Sequence, residues 1–140
     1  MTNRQLLEKK KQIQRIRNIL KITDGIEIME IHDGLNITIE DYYSGEKIPD
    51  SRIPENSDNI YEWITDCLKP ENNMIVFLLC ENIPVKIRIK DVQTAVKSLW
   101  DNHGGITFID QKLETVYEVG NDSRDEYNYL FDVYRIKKPE

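Results

Sequence analysis

The apolar pattern predicts a helix at the start of the chain. Either Thr2 or Asn3 can cap it. Apolar residues then recur every three or four positions: Leu6, Leu7, Ile13, Ile16, Ile19 and Leu20. A stripe of this kind is what a helix buries when it packs on another element. Because the remaining positions are mostly polar or basic, residues 1–23 are predicted to form a basic amphipathic helix.

Two further segments have helical spacing. One follows Asn59, whose side chain can form a capping box with Glu62, and it stops before Pro70, which cannot continue a helix. The other follows Asp91 as its N-cap and stops at Gly104, because glycine readily adopts the left-handed conformation that ends helices. Three helices are therefore predicted.

The remaining apolar segments have the spacing of strands. The strongest local signal is Asp33-Gly34, because Asp-Gly favours a two-residue type I′ turn and isoleucines alternate on both sides of it. This pattern predicts a β-hairpin. Residues 74–80 are apolar at every position, which predicts an interior strand covered on both faces. In residues 85–89 apolar positions alternate with basic ones, which predicts a strand with one solvated face.

The last third of the chain predicts a three-stranded meander over residues 106–110, 113–119 and 127–136. The third of these segments also fits a helix, although its Tyr, Phe and Val residues favour a strand. Residues 42–54 are polar, contain Pro and Gly, and predict a surface loop. Because no linker divides residues 1–140, we expect a single α+β domain, a largely antiparallel sheet with about three helices packed on it.

Charge is divided unevenly along the chain. Of the 19 basic and 25 acidic residues, seven bases and one acid lie in residues 1–23, which leaves 12 bases and 24 acids, or a net −12, for the remainder. Net charge governs association rather than fold. We expect the basic side chains of the first helix to form a face exposed to solvent. The alternative, nucleic-acid binding through that helix, is opposed by the net negative charge of the rest of the chain.

Residues that carry chemistry are few. The two histidines, His32 and His103, are not at metal-ligand spacing. His103 lies at the predicted C-terminus of a helix, where the helix dipole favours a positively charged side chain, and this explains its presence there. The two cysteines, Cys67 and Cys80, lie in apolar segments and are predicted to be buried free thiols. Since no nucleophile–base motif or glycine-rich phosphate loop occurs, the sequence predicts no catalytic residue, no metal and no cofactor.

We expect a cytoplasmic protein without a membrane partner. The longest apolar run, residues 74–80, is too short to cross a bilayer. The first residues are polar and basic and do not have the pattern of a secretory signal.

Residues 101–134 contain the candidate binding site. They hold eight acidic residues against two basic ones, with several tyrosines interleaved. Acids on adjacent strands repel one another, and a basic protein partner would relieve that repulsion, while tyrosine often anchors interfaces. The predicted partner-binding residues are Glu114, Tyr117, Glu118, Asp122, Asp125, Glu126 and Tyr127. The alternative is that the tyrosines fill the edge of the core and the acids only promote solubility.

The second half of the chain contains four segments in a recognisable order. They are Met74-Ile-Val-Phe-Leu-Leu-Cys80, Val96-Lys-Ser-Leu-Trp100, Ile106-Thr-Phe-Ile-Asp110 and Val116-Tyr-Glu-Val119. This order of strand, helix ending near Trp, strand closing in Phe-x-Asp and apolar-acidic strand resembles small bacterial immunity proteins of contact-dependent and related polymorphic toxin systems. The resemblance covers about half of the chain.

The resemblance implies a cytoplasmic antidote without catalytic residues. Toxins that cut nucleic acid have basic clefts, which an acidic surface can occupy. We therefore expect a basic protein partner, with a cognate toxin domain as the first candidate. The alternatives are another bacterial or phage regulatory protein and, less favoured, a nucleic-acid-binding protein that uses the first helix.

Overall fold

The computed structural model describes residues 2–20, 24–43, 52–54, 59–122 and 125–137. Within these residues there are three α-helices, α1 Asn3–Leu20, α2 Ile60–Leu68 and α3 Val92–His103. The eight strands are β1 Ile26–Ile31, β2 Tyr42–Tyr43, β3 Ile53–Pro54, β4 Ile75–Cys80, β5 Ile83–Ile89, β6 Ile106–Ile109, β7 Thr115–Asp122 and β8 Asp125–Ile136. A short 3₁₀ helix spans Ile39–Asp41.

The strands form one antiparallel sheet in the order β1-β5-β4-β6-β7-β8-β2, and β3 also pairs with β8. The predicted α+β fold is confirmed. The apolar strand β4 lies between β5 and β6, as its sequence predicts. The ambiguous last segment is a strand, β8, whose residues 129–135 pair with β7. The predicted loop 42–54 begins with β2 and ends with β3, and residues 44–51 lie outside the described part.

The three helices pack against one face of the sheet, here called the helical face. The main core lies between these helices and the sheet, and it includes Ile16 of α1, Ile64 of α2 and Leu99 of α3, each at most 1% exposed. Burying each such side chain stabilises the fold by about 1.5–3 kcal/mol. No helix in the described part of the chain is long and apolar enough to span a membrane.

A smaller cluster lies on the opposite face, here called the helix-free face. It consists of Ile37, Phe77, Ile109 and Val116, and partly buried tyrosines pack around it. Among the described residues, none from a helix belongs to this cluster. Side chains of the strands that point to this face therefore lie on a surface that the helices do not cover.

The β-hairpin predicted around Asp33-Gly34 is wrong. A type I′ turn needs positive φ at both central residues, and neither residue has it. After the turn, the Ile37 N–H donates to the Asn82 carbonyl at 2.7 Å, so the chain crosses to the β4–β5 turn instead of returning along β1. Long-range pairing with β5 outweighs the local turn preference and leaves β1 at the edge of the sheet.

All three predicted helix starts are confirmed, and at two of them a side chain caps the helix. Thr2 caps α1, because its Oγ1 accepts from the Gln5 N–H at 3.1 Å and Gln5 Oε1 accepts in return from the Thr2 N–H at 2.8 Å. The Asp91 side chain caps α3 by accepting from the Thr94 N–H at 3.0 Å. The capping box predicted at Asn59 is wrong. Its backbone, with φ −105° and ψ 25°, is not extended, and its side chain makes no cap hydrogen bond.

Only the C-terminal half of α1 packs on the sheet. Ile16 and Leu20 are buried, whereas Leu6 and Leu7 are 43% and 53% exposed. An 18-residue helix is about 27 Å long, and the six-residue strands β1 and β4 span only about 20 Å. The apolar stripe predicted for α1 is therefore confirmed for its second half and wrong for its first turns, which extend past the core.

Candidate functional site

The predicted partner-binding residues do not form one surface. Tyr117 packs against the core beneath the helices. Its neighbour Glu118 points to the helix-free face, because successive side chains of a strand alternate, and it shares that face with Val116. Glu114 precedes β7, and its N–H donates to Asp110 Oδ1 at 2.8 Å. The site predicted from sequence is thus divided between two faces of the sheet.

Four more predicted residues lie where β7 turns into β8. Asp122 and Asp125 are partners in the register of these two strands, so two acids do occupy one turn. The side chains of Asp122, Asp125, Glu126 and Tyr127 lie outside the described part of the structure.

Glu118 and Asp132 form a like-charge pair on the helix-free face. They lie directly opposite each other on β7 and β8. Burial, and then the charge of Asp132, raises the pKa of Glu118. Like charges at directly opposed positions destabilise a sheet, by up to about 1 kcal/mol. Among the described residues, neither carboxylate lies within ion-pair distance of a basic side chain.

Two stacked tyrosines adjoin this pair. The rings of Tyr42 and Tyr134 stack with centroids 5.4 Å apart, and the Tyr134 hydroxyl donates to Asp132 Oδ2 at 3.1 Å. Burial, and then the charges of Glu118 and Asp41, raises the pKa of Tyr42 to about 12, so its phenol stays neutral. Asp41, Tyr42, Glu118, Asp132 and Tyr134 are together called the acidic tyrosine cluster.

The other side of the helix-free face is balanced in charge. Glu27 lies opposite Arg88 and Glu30 opposite Lys86 in the pairing of β1 with β5. Glu27 Oε2 also lies 3.2 Å from Lys90 Nζ. Opposite charges in such positions stabilise the sheet. On the helix-free face, the acids of β1 therefore lie opposite bases of β5, whereas the acid Glu118 of β7 lies opposite another acid, Asp132 of β8.

The acidic tyrosine cluster has the groups needed to bind a cationic side chain. The carboxylates of Glu118 and Asp132 can accept charge-assisted hydrogen bonds from a lysine or arginine, and the ring faces can attract the same cation. In the part of the chain that the structure describes, no group of three or more His, Cys, Asp and Glu residues is arranged to hold a metal ion.

The cysteines and His103 differ in part from expectation. Both cysteines are free, and burial raises the pKa of each to about 11, with Asp66 adding to the shift at Cys67 and Glu81 at Cys80. Cys80 is buried as predicted, but Cys67 is only half-buried, so the prediction of two buried thiols is wrong for Cys67. The explanation of His103 as a cation is also wrong, because burial lowers its pKa.

A groove of about 1390 Å³ lies on the helical face beside α2. It brings together two of the predicted residues, Glu114 and Tyr117, and its walls include Trp63 and Phe131. Acidic and basic side chains both line it, so its charge does not favour a cationic partner over an anionic one. The helix-free face has the stronger electrostatic preference.

Sequence reasoning found only Glu118 of the acidic tyrosine cluster. Asp132 and Tyr134 lie within the acidic stretch of the sequence. Because they are two positions apart in a predicted strand, their side chains were expected to point to the same face, and this was the available signal. Tyr42 begins the segment predicted to be a loop, and Asp41 directly precedes it. The proximity of both residues to β8 depends on the pairing of β2 with β8. Comparison with protein-family models, curated proteins and solved structures finds no match to this chain.

Proposed function

We propose that this chain is a non-catalytic protein-binding protein that binds a basic partner through the acidic tyrosine cluster. The observation that carries the proposal is the partly buried pair of Glu118 and Asp132, which repel each other across β7 and β8. Local arrangements that cost stability tend to occur at functional sites. A cationic side chain placed between these carboxylates would replace repulsion with attraction.

The stacked tyrosines support the same proposal. Tyr42 and Tyr134 place aromatic surface directly beside the carboxylates, and Tyr134 is hydrogen-bonded to one of them. Tyrosine is enriched among the residues that contribute most to protein–protein binding, where it supplies contact area at low entropic cost. The charge of −12 on residues 24–140 would in addition speed the association of a basic protein.

The biological role proposed for this surface is that of a cytoplasmic immunity protein that neutralises a basic toxin domain, with a nuclease as the first candidate. A nuclease must attract phosphates, and the basic cleft that does so is complementary to an acidic surface. The order of segments in residues 74–119, which resembles that of immunity proteins, supports the role. The alternative is a regulatory protein that uses the same surface to bind a basic partner other than a toxin.

The test is to express the chain with the product of its neighbouring gene and to measure association and dissociation rates at several salt concentrations. Glu118→Lys should slow association about tenfold and weaken its salt dependence. Tyr134→Ala should speed dissociation and cost about 2 kcal/mol if the ring is a main anchor. The matched control is Glu62→Lys, which reverses an exposed acid on α2.

The proposed surface is wrong if Glu62→Lys weakens the complex while the Glu118 and Tyr134 variants bind as wild type does. A growth assay then separates the two roles. An immunity protein should protect cells that express the neighbouring gene product, and Glu118→Lys should lose that protection. A regulatory protein should form the complex without any effect on survival.

A further inference from the structure

The first turns of α1 carry basic side chains that are not used within the described structure. The helix meets the β4–β5 turn through Gln12 and Arg15, which contact the carbonyl and the carboxylate of Glu81 at 2.7 and 3.3 Å. Residues 2–11 precede this contact and extend past the core. Their four bases are Arg4, Lys9, Lys10 and Lys11. Among the described residues, none of these four lies within ion-pair distance of an acid.

An exposed leucine lies at the centre of these bases. Leu7 is 53% exposed. Arg4, Lys10 and Lys11 are three or four positions from it, so they lie beside it on the same side of the helix, and all three are exposed. These four residues are together called the basic leucine surface. A complementary partner surface would be both acidic and apolar.

The acidic tyrosine cluster has both of these properties. Glu118 and Asp132 have no basic partner among the described residues. The stacked rings of Tyr42 and Tyr134 add aromatic surface beside the carboxylates. Contact with the basic leucine surface would therefore set bases against acids and a leucine against aromatic rings, and such charge complementarity favours association.

The two surfaces of one copy cannot meet. α1 packs on the helical face, and the acidic tyrosine cluster lies on the helix-free face. Because neighbouring strands from β4 to β8 run antiparallel, the β4–β5 and β7–β8 turns lie at one end of the sheet. β2 pairs with the last residues of β8 at the other end. Contact between the two surfaces therefore requires two copies.

Nucleic acid is the other anionic occupant, and it fits the basic leucine surface less well. A duplex is negative along its whole length, so it would also face the net charge of −12 on residues 24–140. Its phosphates offer Leu7 no apolar contact. A second copy instead places unpaired acids and aromatic rings together at one site.

We propose that the basic leucine surface of one copy binds the acidic tyrosine cluster of a second copy. The inference rests on the proposed function of that cluster and adds a form of regulation, since a basic partner must displace α1 of the second copy. The contact is head-to-tail, so pairs can extend into longer chains. Because residues 2–11 span only about 15 Å, the contact is small and reversible.

Sedimentation equilibrium of the whole chain measures this association. At a salt concentration of about 50 mM the average mass of wild type should rise with protein concentration, and about 0.5 M salt should weaken the association about tenfold. Lys11→Glu should also weaken it about tenfold. The matched control Lys97→Glu makes the same change in net charge at an exposed position of α3, and should weaken it less than about twofold.

Mixing two variants tests the head-to-tail contact directly. Lys10→Glu combined with Lys11→Glu leaves the cluster intact, whereas Glu118→Lys leaves α1 intact. Each variant alone should be monomeric. The mixture should form a dimer and nothing larger, because only one intact surface of each kind remains. If circular dichroism shows that Glu118→Lys is unfolded, Glu118→Gln replaces it, since it removes the charge at nearly constant size, and it should give the same dimer.

The proposal is overturned if wild type stays monomeric at low salt, or if the mixture does. A DNA duplex that binds through Lys11 while wild type stays monomeric would identify nucleic acid as the occupant and also overturn it.

These failures differ from failure of the proposed function. The variant with Lys10→Glu and Lys11→Glu should bind the neighbouring gene product at least as tightly as wild type. A monomeric wild type whose binding of that product still depends on Glu118 would overturn only the self-association. Self-association that depends on Glu118, with the product binding Glu118→Lys as it binds wild type, would overturn only the proposed function.

Discussion

Gly25 is expected to tolerate no side chain. It precedes β1 with φ +82°, and its carbonyl accepts from the Lys90 and Asp91 N–H groups at 2.7 and 3.1 Å. A Cβ built there would lie 2.6 Å from the Ala95 backbone nitrogen and 3.0 Å from the Asp91 carbonyl oxygen. These atoms belong to the start of α3 and cannot rotate away. Gly25→Ala should therefore separate α3 from the beginning of β1.

The size of the effect follows from two contributions. Alanine in a left-handed conformation costs about 1 kcal/mol, and overpacking against fixed atoms costs about 1–3 kcal/mol. The expected loss is about 3 kcal/mol. Because unfolding entropy is about 2.1 cal/mol/K per residue, a 140-residue chain should lose about 10 °C in Tm.

The assay is thermal and urea unfolding followed by circular dichroism, with Gly34→Ala as the matched control. Gly34 has no positive φ, and no atom lies within 4 Å of a Cβ built there, so its Tm should change little. If Gly25→Ala unfolds at the wild-type temperature, the close approach of Gly25 to α3 is wrong. If both variants lose stability equally, the effect comes from the general loss of glycine rather than from that contact.

Three further predictions concern the core, the like-charge pair and the thiols. Ile16→Ala should cost about 3 kcal/mol in urea unfolding, whereas Leu6→Ala, on the projecting part of α1, should change stability by less than about 0.5 kcal/mol. Because the pKa of Glu118 is raised on folding, its wild-type contribution to stability falls as pH rises through the carboxyl range. Glu118→Gln should therefore be more stable than wild type at pH 7, by up to about 1 kcal/mol, and the difference should vanish below the ordinary glutamate pKa. With pKa values near 11, Cys67 should react slowly with a thiol reagent at pH 8, and Cys80 should react only when the chain unfolds.

The sequence by itself determined the elements whose signals are local. Asp91 and Gly104 mark the ends of α3, and each acts within one turn of the helix. The alternation in β5 and the continuous apolar run in β4 are also local signals. A strand buried on one face alternates apolar and polar residues, whereas a strand buried on both faces is apolar throughout. These signals were sufficient for the α+β class.

The tertiary structure alone decided which strands pair and which side chains share a face. Asp33-Gly34 has the local chemistry of a hairpin, yet pairing of β1 with the distant β5 determines the fold of that segment. Glu118 meets Asp132, and Tyr42 meets Tyr134, through the register of β8 with β7 and with β2. A shift of one residue would move every side chain of a strand to the other face, and register is set by long-range packing of the whole sheet. The acidic tyrosine cluster therefore exists only in the folded chain.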